Sequence, residues 1–332
     1  MFTTLKTLCS ISSVSGREEA IREKLKELVA PLCDEVYTDA LGNLIAVKKG
    51  NDEAAKNIML CAHMDEIGFL VTFVEENGSI RIAPVGGISP GATAFSEVVS
   101  EKGVRGVIVP NDDVKSADYA VDKFYIDIGA KSKKDAERKV AIGDFFVCRP
   151  SLSRLMGQRV CGRPLDDRVG CAVLLGIAEH FSKNDTKNNL YYVFSVQEEV
   201  GCRGAKTAAF GICADYGLVF DVTGTGDVPG AKPMACKIGD GAAIKIKDNS
   251  VICHKDVVDT LISLAKENKI AYQCEILTYG GTDTSSIQMT GSGAKVGALS
   301  IPTRYIHSST ELLDLSDAEA CVKLAIKFTQ KI

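Results

Sequence analysis

The chain has 332 residues, of which 45% are hydrophobic and 25% charged. That balance excludes a disordered chain, and the length is enough for about two domains with a sizeable core. Lys and Arg number 39 against 43 Asp and Glu, a net charge of -4, so the basic footprint of a nucleic-acid or anionic-membrane binder is missing.

In chain order, residues 1–15 are polar and mixed, without the basic stretch and apolar run of a secretion signal. Ser15 followed by Glu18 has the spacing of a capping box, and Ile21, Leu25, Leu28 and Leu32 then mark one face of a helix. Leu41-Gly42-Asn43 reads as a turn into a short strand at 44–47. Residues 58–62, Ile-Met-Leu-Cys-Ala, form a continuous apolar run of the kind buried on both faces of a sheet. The run stops abruptly at His63-Met64-Asp65-Glu66.

From 67 to 156 the texture changes. Short segments at 68–74, 80–84, 104–109, 124–128 and 144–148 are separated by Gly, Asn, Asp and Pro, which predicts closely spaced strands. Helix–strand alternation then resumes: helices at 169–181, 204–210, 255–266 and 317–328, strands at 190–196, 216–222 and 296–301. Ala320, Leu324 and Phe328 share one face of the last helix. The fold class is therefore α/β: a mixed-sheet domain made of residues 1–65 and 157–332, interrupted by a small β-rich domain at 66–156. The apolar stretch 169–177, broken by Gly170 and Gly176, is far too short to span a bilayer. The twelve cysteines are scattered, with no C-x-x-C pair, which points to reduced thiols and a cytoplasmic protein.

Only four histidines occur, His63, His180, His254 and His307. His63 ends a buried strand two residues before Asp65, and His307 follows the strand at 296–301. Asp166-Asp167 precedes a helix, Glu198-Glu199 follows a strand, and Asp221 ends another. In an open α/β sheet, ligands gather at the carboxyl ends of strands. So many carboxylates together are costly unless neutralised. Asp166, Glu199, Asp221 and a bridging hydroxide carry four negative charges, which two divalent cations cancel. Imidazole with carboxylate suits zinc or a related transition metal. Each element alone also has an ordinary role: a hydrogen-bonded histidine, a solvated Glu-Glu turn, a helix-capping Asp. Spacing by itself leaves both readings open.

The motifs Ala62-His63-Met64-Asp65-Glu66-Ile67-Gly68-Phe69, Leu165-Asp166-Asp167-Arg168-Val169-Gly170 and Gln197-Glu198-Glu199-Val200-Gly201 resemble those of the M42 family of dinuclear metalloaminopeptidases. So do Asp221-Val222, Gly280-Gly281-Thr282-Asp283 and 301–308, Ile-Pro-Thr-Arg-Tyr-Ile-His-Ser, all in the family's order. This family includes glutamyl and tetrahedral (TET) aminopeptidases, and some members carry cellulase or endoglucanase names. The resemblance implies a zinc-peptidase α/β domain and hydrolysis of N-terminal residues from short peptides. It implies His63, Asp166 and Asp221 on one metal, and Asp166, Glu199 and His307 on the other, with Asp166 bridging. Glu198 matches the general base and Asp65 the carboxylate that orients His63. Two cations per subunit are expected, Zn²⁺ first, with Co²⁺ or Mn²⁺ as alternatives. The resemblance further implies a cis Asp166–Asp167 peptide. It also implies that the inserted domain builds dimers into a tetrahedral homododecamer. Pro164 and Thr284-Ser285 depart from the family pattern but touch no matched ligand.

The remaining signals are weaker. His254, before a helix, and His180, at a helix end, read as structural. Lys245, Lys247 and Arg304 would favour an acidic substrate side chain if one faced the site. An endoglucanase would need an aromatic-lined sugar cleft, whereas this chain has no Trp and 6% aromatics. A metal-dependent deacylase on the same scaffold is the nearer alternative.

Overall fold

The computed structural model describes residues 1–332. The apolar run at 58–62 becomes the strand Asn57–His63, near the middle of an 11-stranded mixed sheet. Asn189–Ser195 lies parallel to it on one side, with Ser195 opposite His63. Tyr216–Thr223 lies parallel on the other, and Lys295–Arg304 runs parallel beyond that, with Ser300 opposite Asp221. Four adjacent strands thus present their carboxyl ends at one edge. Leu44–Lys48 and Glu35–Thr38 add antiparallel strands at one side of the sheet. Glu311–Asp314, Arg159–Arg163 and Ser151–Arg154 extend the other.

The central helix Arg168–Ser182 packs against the sheet strands, against Phe2–Cys9 and against the closing helix Leu315–Lys331. Enclosed by these neighbours, it is buried on nearly every side, which explains its run of apolar residues with two small glycines. Ala320, Leu324 and Phe328 are buried on the closing helix, the face that the spacing predicted.

The inserted segment forms a closed six-stranded barrel. Its strands run in the order Gly68–Val74, Ile80–Val85, Phe124–Asp127, Arg105–Pro110, Glu97–Ser100 and Phe145–Cys148, the last pairing back to the first. Closure removes the exposed sheet edges that a small β domain would otherwise present. Phe69, Phe124, Ile126 and Phe146 fill a core separate from that of the large sheet. The barrel strands end at Cys148, and Ser151–Arg154 already pairs within the large sheet.

Two local expectations are corrected. The helix after Ser15 is Glu19–Val29 and has no side-chain cap. Ser15 Oγ instead donates to Asp65 Oδ2 at 2.6 Å, and Glu18 accepts from the N–H groups of Gly16 and Gln197. A buried carboxylate brought in by the sheet outcompetes the local cap. Leu32 lies in a separate 3₁₀ turn, Ala30–Leu32, because Pro31 cannot continue the α-helix. The mixed first segment contains the helix Phe2–Cys9, with Leu5 and Leu8 fully buried. No helix is long and apolar enough to cross a membrane.

Candidate metal centre

At the sheet edge, His63 is the last residue of its strand. Its Nδ1 lies 3.1 Å from the backbone oxygen of Asp65 and 3.5 Å from Asp65 Oδ1. Its Nε2 lies 3.1 Å from Asp166 Oδ1 and 3.8 Å from Asp221 Oδ1. His307, beyond the Lys295–Arg304 strand, places Nε2 3.3 Å from Asp166 Oδ2 and 3.1 Å from Glu199 Oε2. Asp166 therefore sits between the two imidazoles and turns one oxygen to each.

Neighbouring elements fix these side chains. Glu311 Oε2 accepts the backbone N–H groups of Leu165 and Asp166 at 2.6 and 3.1 Å. The Asp166–Asp167 peptide is cis, as the resemblance implies. Asp167 caps the following helix, its Oδ1 accepting from Gly170 N–H at 3.0 Å. Asp65 is fully buried, and its Oδ1 accepts from Glu198 N–H at 3.0 Å while its Oδ2 accepts from Glu199 N–H at 3.2 Å. One carboxylate thus ties the His63 strand to the Glu198-Glu199 turn.

Charge at this edge is strongly perturbed. Burial pushes Asp167, Glu198 and Asp221 well above the usual carboxylate range, and neighbouring carboxylates add to it against the pull of His63. Burial alone would lower His307, but its hydrogen bonds to Asp166 and Glu199 outweigh it and hold the ring at about 11. Asp166 is buried too, yet the two imidazoles hold it below its ordinary value. The arrangement calls for cationic partners. Ligand atoms of His63, Asp166 and Glu199 lie within 4.8 Å of one another, as do those of His63, Asp167 and Asp221. Asp167 Oδ2 is buried without a hydrogen-bond partner. A mixed nitrogen and oxygen donor set of this kind fits zinc-type divalent cations.

The structure thus brings His63, Asp65, Asp166, Glu198, Glu199, Asp221 and His307 together. Three further residues join them that sequence reasoning gave no role in the site. Asp167 was signalled only as the neighbour of Asp166. Cys202 donates its thiol to Glu198 Oε1 at 3.2 Å, and nothing in the sequence distinguished it from eleven other cysteines. Asp283 lay in a recognised motif without an assigned task. His254 stays apart, its Nδ1 accepting from Asp256 N–H at the start of helix Lys255–Glu267. Lys245 is corrected as a free cation: it is fully buried and paired with Glu275 and Asp248. Arg304 lines the cleft but is bound by Asp227, 2.6 Å from Nη2.

A family model described as M42 glutamyl aminopeptidase matches residues 42–324. The chain belongs to the M42 family of aminopeptidases. This M42 aminopeptidase is 46% identical to a provisionally named aminopeptidase of Acetivibrio thermocellus, over 98% of each chain. It is 32% identical to the lysyl aminopeptidase of Pyrococcus furiosus, covering 97% of this chain and 94% of that one. Among solved structures, it is similar to the Pyrococcus horikoshii TET1 peptidase, which assembles into a tetrahedron or a large octahedral shell. The TM-score is 0.89 at 34% identity, over 100% of this chain and 99% of the other.

Proposed function

We propose that this M42 aminopeptidase releases N-terminal residues from short peptides, using two divalent cations held by His63, Asp166, Glu199, Asp221 and His307. The observation that carries this reading is the placement of Asp166, whose two oxygens face His63 at 3.1 Å and His307 at 3.3 Å. A carboxylate so placed can serve two cations at once. When bound, the cations would polarise the scissile carbonyl and acidify the attacking water, with Zn²⁺ the best match to the donors and Co²⁺ or Mn²⁺ also compatible.

The chain's own residues supply the proton transfers. Glu198 accepts the proton of the attacking water and delivers it to the leaving amine from its place on the cleft wall beside His63, Asp166 and Asp221. Asp65 holds the Glu198 backbone and the ring of His63 in register with each other. The substrate's α-ammonium group finds the carboxylates of Glu199 and Asp221 on the wall of the same cleft of about 430 Å³. An N-acylated substrate would bring no cation to those carboxylates, which favours a peptidase over a deacylase.

The side-chain pocket is lined in part by Val228, Leu277 and Tyr279, and Arg304 is the only Lys or Arg on its wall. Because Arg304 is neutralised by Asp227, a neutral N-terminal residue is preferred to an acidic one. The family is described by a glutamyl aminopeptidase and one relative is a lysyl aminopeptidase, so the pocket itself is the better guide. We further propose that the barrel mediates dimers that build a tetrahedral dodecamer in the cytoplasm, supported by the assembly of the TET1 relative and the free cysteines.

A panel of aminoacyl-p-nitroanilides and their N-acetyl counterparts, with and without chelator, tests the reading. Leucyl and methionyl substrates are expected to be cleaved faster than glutamyl ones, and only by metal-loaded protein. Chelator-insensitive turnover, or turnover of N-acetyl substrates alone, would overturn it.

A further inference from the structure

Beside the centre described above lies a second set of donors that the two-cation reading does not use as ligands. Glu198, Cys202 and Asp283 have ligand atoms all within 4.8 Å of one another. Glu198 follows the Asn189–Ser195 strand, Cys202 precedes the helix Arg203–Ile212, and Asp283 opens the short helix Asp283–Gln288. Three separate elements therefore converge on one point. Asp283 is 1% exposed. Its Oδ2 accepts from Ser195 Oγ and from the Cys61 thiol, while its Oδ1 is buried with no hydrogen-bond partner at all. An unpartnered carboxylate oxygen in a dry setting is costly. In the same cluster the Cys202 thiol already donates to Glu198 Oε1, at 3.2 Å.

We propose that Glu198, Cys202 and Asp283 form a third cation site, selective for thiophilic divalent ions such as Zn²⁺ and Cd²⁺, whose occupation switches the enzyme off. One thiolate sulfur with two carboxylate oxygens is a donor set for a borderline-soft cation and a poor one for Mg²⁺ or Ca²⁺. On binding, the Cys202 S–H bond breaks, the sulfur keeps the electron pair and donates it to the cation, and one proton is released to solvent. Glu198 and Asp283 join through their carboxylate oxygens. A cation seated there engages the oxygen that the reaction needs as proton acceptor, so excess metal inhibits the enzyme that the first two equivalents activate. The inhibition rests on Glu198 acting as the general base, whereas the site itself rests only on the three side chains.

The test uses holoenzyme carrying two equivalents of Zn²⁺, titrated with Cd²⁺ or further Zn²⁺. Near-ultraviolet thiolate-to-cadmium absorption, metal stoichiometry after dialysis, and peptidase rate are followed together. Wild type is expected to take up a third equivalent with a new thiolate band and to lose activity as it does so. Cys202→Ala and Cys202→Ser should both keep two equivalents, lack the band, and need at least about tenfold more metal for inhibition. Cys213→Ala, at the exposed far end of the same helix, should behave as wild type. A third equivalent and band that persist in both Cys202 variants overturn the site, as does their absence from wild type. Failure of every protein to hold the first two equivalents would instead overturn the two-cation reading, with the cadmium band still deciding the third site. A band without inhibition would keep the site and remove the switch.

Discussion

Glu198 and Glu199 are adjacent in sequence yet face different partners. Glu199 Oε2 meets His307 Nε2 at 3.1 Å, whereas Glu198 Oε1 accepts from the Cys202 thiol. Asp65 produces this divergence by taking both of their backbone N–H groups, one on each oxygen. We predict that Glu198→Gln lowers kcat by about 10²- to 10⁴-fold, the usual worth of a general base, while both cations stay bound. Glu199→Gln removes an anionic ligand, so one cation should bind weakly and excess metal should partly restore turnover. Metal content by mass spectrometry decides between the roles: a Glu198→Gln enzyme that loses a cation while Glu199→Gln keeps two would reverse them. At this scale the sequence was informative wherever a polar residue broke an apolar strand, as at His63 and Asp221. It was silent about Cys202 and Asp283, whose meeting depends on elements about 80 residues apart in sequence folding onto the same turn.

Among the elements, the strand Lys295–Arg304 carries His307 toward the centre and is pinned at its end by Asp227. Arg304 Nε and Nη2 both donate to the Asp227 carboxylate, at 3.1 and 2.6 Å. Burial would raise Asp227, but the hydrogen bonds from Arg304 outweigh it and hold the carboxyl at about 2. Its folded-state pKa is thus below the ordinary value of about 3.9, so the stabilisation is complete above that value and is lost as pH falls through about 2. We predict that Arg304→Met costs up to about 1 kcal/mol near neutral pH, the upper range for a partly exposed pair. The difference from wild type should shrink as pH falls from 4 toward 2, read from urea unfolding at each pH, and a difference that grows with acid would refute the assignment. Element types were legible where burial imposes a pattern, as in the two-sided strand Asn57–His63. The helix Phe2–Cys9 was not, because a short mixed segment becomes helical only through the packing of Leu5 and Leu8. Nor was the barrel's strand order, since placing Phe124–Asp127 between Ile80–Val85 and Arg105–Pro110 depends on pairing across long loops.

For the whole molecule, the sheet domain and the barrel are joined directly beneath the centre. Arg163 is 2% exposed and donates to the backbone oxygens of Ile67, where the barrel begins, and Ser308, next to His307. Glu66 is fully buried within 3.7 Å of both Arg163 and Arg168, and Glu311 lies 3.6 Å from Arg163 while accepting the N–H of Asp166. The same buried charges therefore touch both the segment that carries Asp166 and the root of the barrel. Cations bound by the folded protein alone stabilise it by mass action, about 2.7 kcal/mol per site at a hundredfold excess over Kd. Here they would also relieve the repulsion among Asp166, Asp167, Glu199 and Asp221. We predict that chelation lowers Tm by several degrees and dissociates the largest assemblies toward dimers, and that metal re-addition restores both. Differential scanning fluorimetry with light scattering on the same samples, after metal removal is verified by mass spectrometry, makes the comparison. An unchanged Tm would show that the centre stands without cations. A fallen Tm with an intact assembly would show that the barrel holds its partners independently of the site.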